Sequence, residues 1–172
     1  MDDSEKAGQP QYSPNAIHLM RTTQLAHFQL SAMADHKASI LMGATFVIFT
    51  ITVGHERGAT APLPLLILGG FAFVSAICAV MAVLPAVGPS RKGPLNLLFF
   101  GSFTDLPEDE FVDRITARLA SDDSVYRTMA HDIYQNGSVL RHKKYRMLGW
   151  AYRIFLAGLV ASAAAFVAPY FG

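Results

Sequence analysis

The stretch "ADHKASILMGATFVIFTITVG", residues 34–54, opens with Asp35, His36 and Lys37 and then carries no charged side chain for seventeen residues. In a helix rising 1.5 Å per residue, those seventeen cover about 25 Å. That is the short end of what crosses a hydrocarbon layer roughly 30 Å thick, and interfacial flanks extend it. Two further windows are longer and equally bare: residues 61–88 carry no charge, and residues 147–172 carry only Arg153. Charged residues make up 16% of the 172-residue chain, against roughly 25% in an ordinary soluble domain. A water-soluble fold would have to bury all three windows in one core with little solvated surface left to cover them. The sequence is therefore read as an all-α integral membrane protein with three transmembrane helices and a cytoplasmic helical layer.

The expected segments are a disordered polar tail (1–12), a helix leading to the membrane (13–37), and the first and second spans (38–54 and 61–87). A cytoplasmic helical region (88–146) and the third span (147–171) follow. Lys and Arg number three in residues 1–37 and nine in residues 88–147, while the link between the first two spans has Arg57 alone. The positive-inside bias places the N-terminus and residues 88–146 in the cytoplasm, as expected of a multi-pass inner-membrane protein. Lys37 then marks the inner interface, its alkyl stem along lipid and its ammonium among headgroups, with Asp35 just outside. Arg153 reads as a snorkelling anchor beside Trp150 and Tyr152, and Tyr170 with Phe171 forms the opposite aromatic belt. The sole cysteine, Cys78, falls inside the second window and cannot form an intrachain disulfide.

Ser13-Pro14 has the pattern of an N-cap followed by a first-turn proline, with no breaker before Gly43. "LNLLFFGSF" is too short to span and reads as an irregular or interfacial hook. Pro107 opens a helix with Glu108, Asp109 and Glu110 in its first turn, favoured by the helix dipole. Ser121 or Asp122 caps the next helix, and Asn136-Gly137 suggests a kink in it. No enzyme is legible: there is no phosphate-cradling glycine loop and no nucleophile elbow. His18, His27 and His36 are spaced nine apart and diverge around a helix, and His131-Asp132 lacks the further ligands that a catalytic metal needs. A net charge of +1 offers no general DNA- or RNA-binding surface. Small residues at four-residue spacing, Gly158 and Ser162 with Ala157, Ala161 and Ala165, permit close helix approach within one chain or between subunits.

"ADHKASILMGATFVIF", "NLLFFGSFTDLPEDEF" and "MAHDIYQNGSVLRHKKYRMLGWAYRIFLAGL" occur in order between Arg21 and Leu159. Together they resemble the transmembrane effectors of Pycsar, the pyrimidine cyclase system for antiphage resistance. The resemblance implies a membrane effector of abortive infection. A neighbouring pyrimidine cyclase would supply cyclic UMP or cyclic CMP, and the effector would respond by impairing the inner membrane. It carries no nucleotide-contact residues to numbered positions, so candidates come from chemistry. A cyclic nucleotide asks for a cation at its phosphodiester, amides for the base edge and an aromatic ring to stack. Lys37, Arg127, Arg141, Lys143 and Lys144 are the candidate cations; Asn96, Gln135 and Asn136 the amides; Tyr126 and Tyr134 the rings. Asp35 and Lys37 are candidates for coupling such a site to the first span. The plainer reading of Arg141, Lys143, Lys144 and Arg146 is an anchor on anionic lipid. The expected partners are the nucleotide, the bilayer and further copies of the chain, with no other cofactor. The competing class is a constitutive small membrane scaffold. A transporter or proton channel is disfavoured, because no span holds an acidic residue.

Overall fold

The computed structural model describes residues 11–56, 62–85 and 95–171. It is built of helices: α1 (Ala16–Glu56), α2 (Leu63–Val83), α3 (Phe100–Phe103), α4 (Glu108–Arg118), α5 (Asp122–Val139) and α6 (Arg146–Val167). Leu140–Tyr145 forms a π-helical segment between α5 and α6, and Ala168–Tyr170 ends the chain's last helix as a 3₁₀ turn. Three helices are long and apolar enough to cross a membrane. No strand occurs among the described residues, so the all-α membrane architecture expected from the apolar windows is the one found. The chain divides into two compact units, one from residues 1–29 and 86–139 and the other from 30–85 and 140–172.

The second unit is the trio of spans. Its core is mostly alanine: Ala34, Ala38, Ala79, Ala82 and Ala151 are buried with Leu41 and Leu148. Small side chains let helix backbones approach closely, which is how apolar helices gain packing energy where lipid offers no hydrophobic drive. Two glycines show how close. A Cβ on Gly158 would collide with that of Phe71, and one on Gly69 would stand 2.6 Å from Thr52 Oγ1. Ser75 Oγ donates to the Ala151 carbonyl at 2.8 Å, and Ser162 Oγ to the Pro64 carbonyl at 2.8 Å. The Gly158 and Ser162 face thus packs within one chain, against α2, while Ala157 is exposed. Hydroxyls on α1 satisfy themselves on their own helix: Thr45 donates to Leu41 O and Thr52 to Ile48 O, each at 2.9 Å. Gly43 and Gly54 do not interrupt α1, which is 41 residues long. At about 60 Å it is twice the thickness of a hydrocarbon core, and it joins residues 16–37 to 38–54 without a break.

The first unit packs the hook, α4 and α5 with the opening turns of α1. The hook is a turn leading to the four-residue α3, tied by Asn96 N to Ser102 Oγ at 3.1 Å. Phe103 stacks on Phe111 of α4, ring centroids 4.6 Å apart. Ser121 Oγ accepts from Ser124 N at 3.3 Å and caps α5. The expected kink at Asn136-Gly137 is absent, and α5 stays helical to Val139. Gly137 has a packing cause instead, since a Cβ there would lie 3.2 Å from the His27 ring. The departure from α geometry comes later, at Leu140. Residues 1–10 of the expected tail, Arg57 and residues 86–94 lie outside the described residues.

Candidate functional site

Polar side chains converge in the first unit on Asp132, which is 3% exposed. Its Oδ1 accepts from Asn96 Nδ2 and Asn136 Nδ2, each at 3.0 Å, and its Oδ2 accepts from Gln24 Nε2 at 2.9 Å. Asn96, 2% exposed, spends its remaining capacity on the hook, its Oδ1 accepting from Leu98 N at 2.9 Å. Three separate stretches of chain are thereby pinned to one carboxylate: α1 through Gln24, the hook through Asn96, and α5 itself. Among the described residues the donors to Asp132 are amides, so its charge is met by hydrogen bonds rather than an ion pair. Asn96 and Asn136, expected as base readers, are brought together here. Gln24 and Asp132 were not among the candidates. One residue before Asn136, Gln135 Nε2 lies 2.8 Å from Nε2 of His131, a turn earlier.

At the start of α5, Tyr12 O–H donates to Asp123 Oδ1 at 2.6 Å and Arg127 Nε donates to Asp123 Oδ2 at 2.7 Å. Tyr126 packs on Tyr12 with ring centroids 4.6 Å apart. Tyr12, placed by the sequence in the tail, is therefore held on α5. The Tyr12 hydrogen bond and the Arg127 guanidinium hold the Asp123 carboxyl below its usual range. Losing that bond to a phenolate would be unfavourable, so the Tyr12 pKa is raised in turn, and Asp123 also raises that of Arg127. Arg127 and Tyr126, candidates for phosphate and base, are engaged with each other's neighbours, and Tyr134 is 77% exposed.

In the second unit the π segment aims two successive lysines at different helices. Lys143 Nζ donates to the Leu84 carbonyl at 2.8 Å and the Pro85 carbonyl at 3.2 Å, placing a cation at the C-terminal end of α2 where the dipole favours it. Lys144 Nζ donates to Ser31 Oγ at 2.7 Å and to Asp35 Oδ1 and Oδ2 at 2.8 and 2.7 Å, on α1. Tyr145 O–H donates to Leu30 O at 3.4 Å and Tyr152 O–H to Lys37 O at 3.2 Å, continuing the same seam between α1 and α6. Asp35 thus has its partner in Lys144. The Lys37 and Arg141 side chains are exposed and form no hydrogen bond or ion pair among the described residues. Trp150 lies under the Arg153 guanidinium, 5.7 Å from ring centroid to Cζ.

No curated protein and no solved structure matches the chain. The family model described as the Pycsar effector protein domain (PycTM) matches residues 18–169. That range takes in all three apolar helices, the pinned hook and the Lys143–Lys144 junction, and the chain belongs to the Pycsar effectors, the membrane arm of an antiphage defence system.

Proposed function

We propose that this effector is switched on by a cyclic pyrimidine nucleotide, cyclic UMP or cyclic CMP, and that its spans then impair the bacterial inner membrane and abort infection. The observation that carries this reading is the family match over residues 18–169, nearly the whole chain. A neighbouring pyrimidine cyclase supplies the messenger; the effector itself performs no catalysis and needs no other cofactor. The N-terminus and residues 88–146 face the cytoplasm, where the nucleotide is made. A ligand moves a conformational equilibrium only as far as its affinities for the two states differ, so the nucleotide must prefer an assembled or splayed arrangement of spans in a homo-oligomer. Of the five basic candidates for the phosphodiester, Arg127, Lys143 and Lys144 are already engaged. Lys37 and Arg141 are the ones whose side chains are exposed and unbonded among the described residues.

The test is dye release from liposomes holding purified protein, titrated with cyclic UMP, CMP, AMP and GMP. Release with one pyrimidine nucleotide alone is expected. Correctly oriented protein that releases nothing with any of the four overturns direct sensing and favours a constitutive scaffold.

A further inference from the structure

Arg153 is the lone charge between Met147 and Gly172, and among the described residues it has no acidic partner. A guanidinium on a span has to be neutralised or reach the interface, so what neutralises it is a question the trio itself leaves open. Leu148, Ala151 and Gly158 are the buried positions of α6. At 100° per residue, Arg146, Trp150 and Arg153 point away from that face, and all three are exposed. Arg146 and Arg153 are seven residues apart, two turns, which aligns them to within about 20° and separates their Cα atoms by about 10.5 Å along the axis. Helical side chains slope back toward the N-terminus, so the Arg153 stem runs over the turn that holds Gly149 and Trp150, toward Arg146. A Cβ on Gly149 would meet nothing within 4 Å. The strip between the two guanidiniums is therefore floored by bare backbone, with the Trp150 ring along one side, 5.7 Å from Arg153 Cζ. Its depth is set by Tyr152, whose hydroxyl reaches the Lys37 carbonyl at 3.2 Å, beside the charged end of the first apolar run.

We propose that Arg146 and Arg153 clamp the phosphodiester of an anionic phospholipid over Gly149. Arginine pairs with phosphate oxygens in a planar, two-pronged geometry, and Trp150 is suited to the glycerol level of the leaflet. The preference is for a headgroup with no cation of its own, because an ammonium on the lipid would compete for the same phosphate. This site is independent of what activates the effector, since it needs only the spans to be in a bilayer.

Trp150 is the only tryptophan in the chain, so the site carries its own reporter. The full-length protein would be reconstituted in phosphatidylcholine vesicles containing a small mole fraction of acyl-brominated lipid. Brominated phosphatidylglycerol is expected to quench Trp150 as if enriched about tenfold over brominated phosphatidylcholine at the same fraction. Arg146→Gln/Arg153→Gln should abolish the excess, as should Gly149→Leu, which fills the strip while keeping both charges. Equal quenching by the two lipids in the unaltered protein overturns the proposal, and that comparison needs no variant to fold. So does an excess that survives in the double variant, that is displaced by inorganic phosphate (a soluble-anion site), or that appears only at protein densities where copies pair.

Discussion

Replacing Asp132 by alanine tests whether one carboxylate holds the first unit together. The substitution strands the amide donors of Asn96, Asn136 and Gln24. Asn96 is 2% exposed and cannot be rehydrated in place, which costs about 1–3 kcal/mol. Gln24 and Asn136 are half-buried and can recruit water, so each loses roughly 0.5–1 kcal/mol. The sum is about 3 kcal/mol, and at 1.4 kcal/mol per decade it raises the population of locally opened hook by roughly a hundredfold. Hydrogen exchange on the full chain in nanodiscs reads this directly. The amides of Asn96 and Leu98, bonded to Ser102 Oγ and Asn96 Oδ1, should exchange about a hundredfold faster, while peptides from α6 stay unchanged. Asp132→Asn keeps the volume but turns an amide N–H₂ toward one of the donors, and should give an intermediate rate. Unaltered exchange in the hook of Asp132→Ala would show that hydrophobic packing, not the carboxylate, fixes Asn96, and the reasoning would fail.

Other outcomes follow from the packing of the spans and the start of α5. Lys144→Met and Asp35→Asn should each destabilise the trio by about 1 kcal/mol, a figure kept small because the side chains are 19% and 40% exposed. The exchanged pair Asp35→Lys/Lys144→Asp should recover part of that loss in detergent melts, and strictly additive single and double variants would remove the pair from the account. Gly158→Ala forces a Cβ against that of Phe71 and should cost about 1–3 kcal/mol, a clash that Phe71→Ala leaves in place and only Phe71→Gly removes. For Tyr12 and Asp123 the signs are opposite. The lowered Asp123 pKa gives an attachment that is present above its ordinary 3.8 and lost as pH falls through the depressed value. The raised Tyr12 pKa gives one that is present below 10.0 and lost as pH rises through the elevated value. A nitroxide at Ser13→Cys, in a Cys78→Ser background, should be immobile between those limits and mobile outside them. It should be mobile throughout in Tyr12→Phe.

The spans were legible because lipid imposes a simple rule: a run of about twenty residues with no charge has few other places to go. Charge was legible too, and Arg141 through Arg146 stood out. What each cation touches was not, because that depends on helical register. Lys143 and Lys144 reach α2 and α1 from a stretch wound as a π-helix, and nothing in "LRHKKY" announces the change of winding. The Asn136-Gly137 dipeptide suggested a kink from local preference, yet the His27 ring across the unit accounts for the glycine. Gln24 is silent in the sequence because its partner lies 108 residues away. A glutamine on a polar helix carries no signal until that partner is in place. In sequence Asp132 stands beside His131 with the look of a metal ligand, whereas its amide surroundings are assembled by tertiary structure.

The π segment also sets a rule about length as opposed to composition. Its wide turn holds one residue more than an α-helix would need over the same rise. Deleting one residue from Leu140–Tyr145 would let the helix close to regular winding with its neighbouring turns left in nearly the same rotation, whereas adding one would shift the helical register there by about 100°. Arg141, exposed and unbonded among the described residues, can change identity at little structural cost. The number of residues between Val139 and Arg146 can fall by one, back to regular winding, but cannot rise so freely. Across related chains this stretch should therefore accept substitutions and the loss of one residue while refusing further insertion, whereas an ordinary connecting loop accepts both.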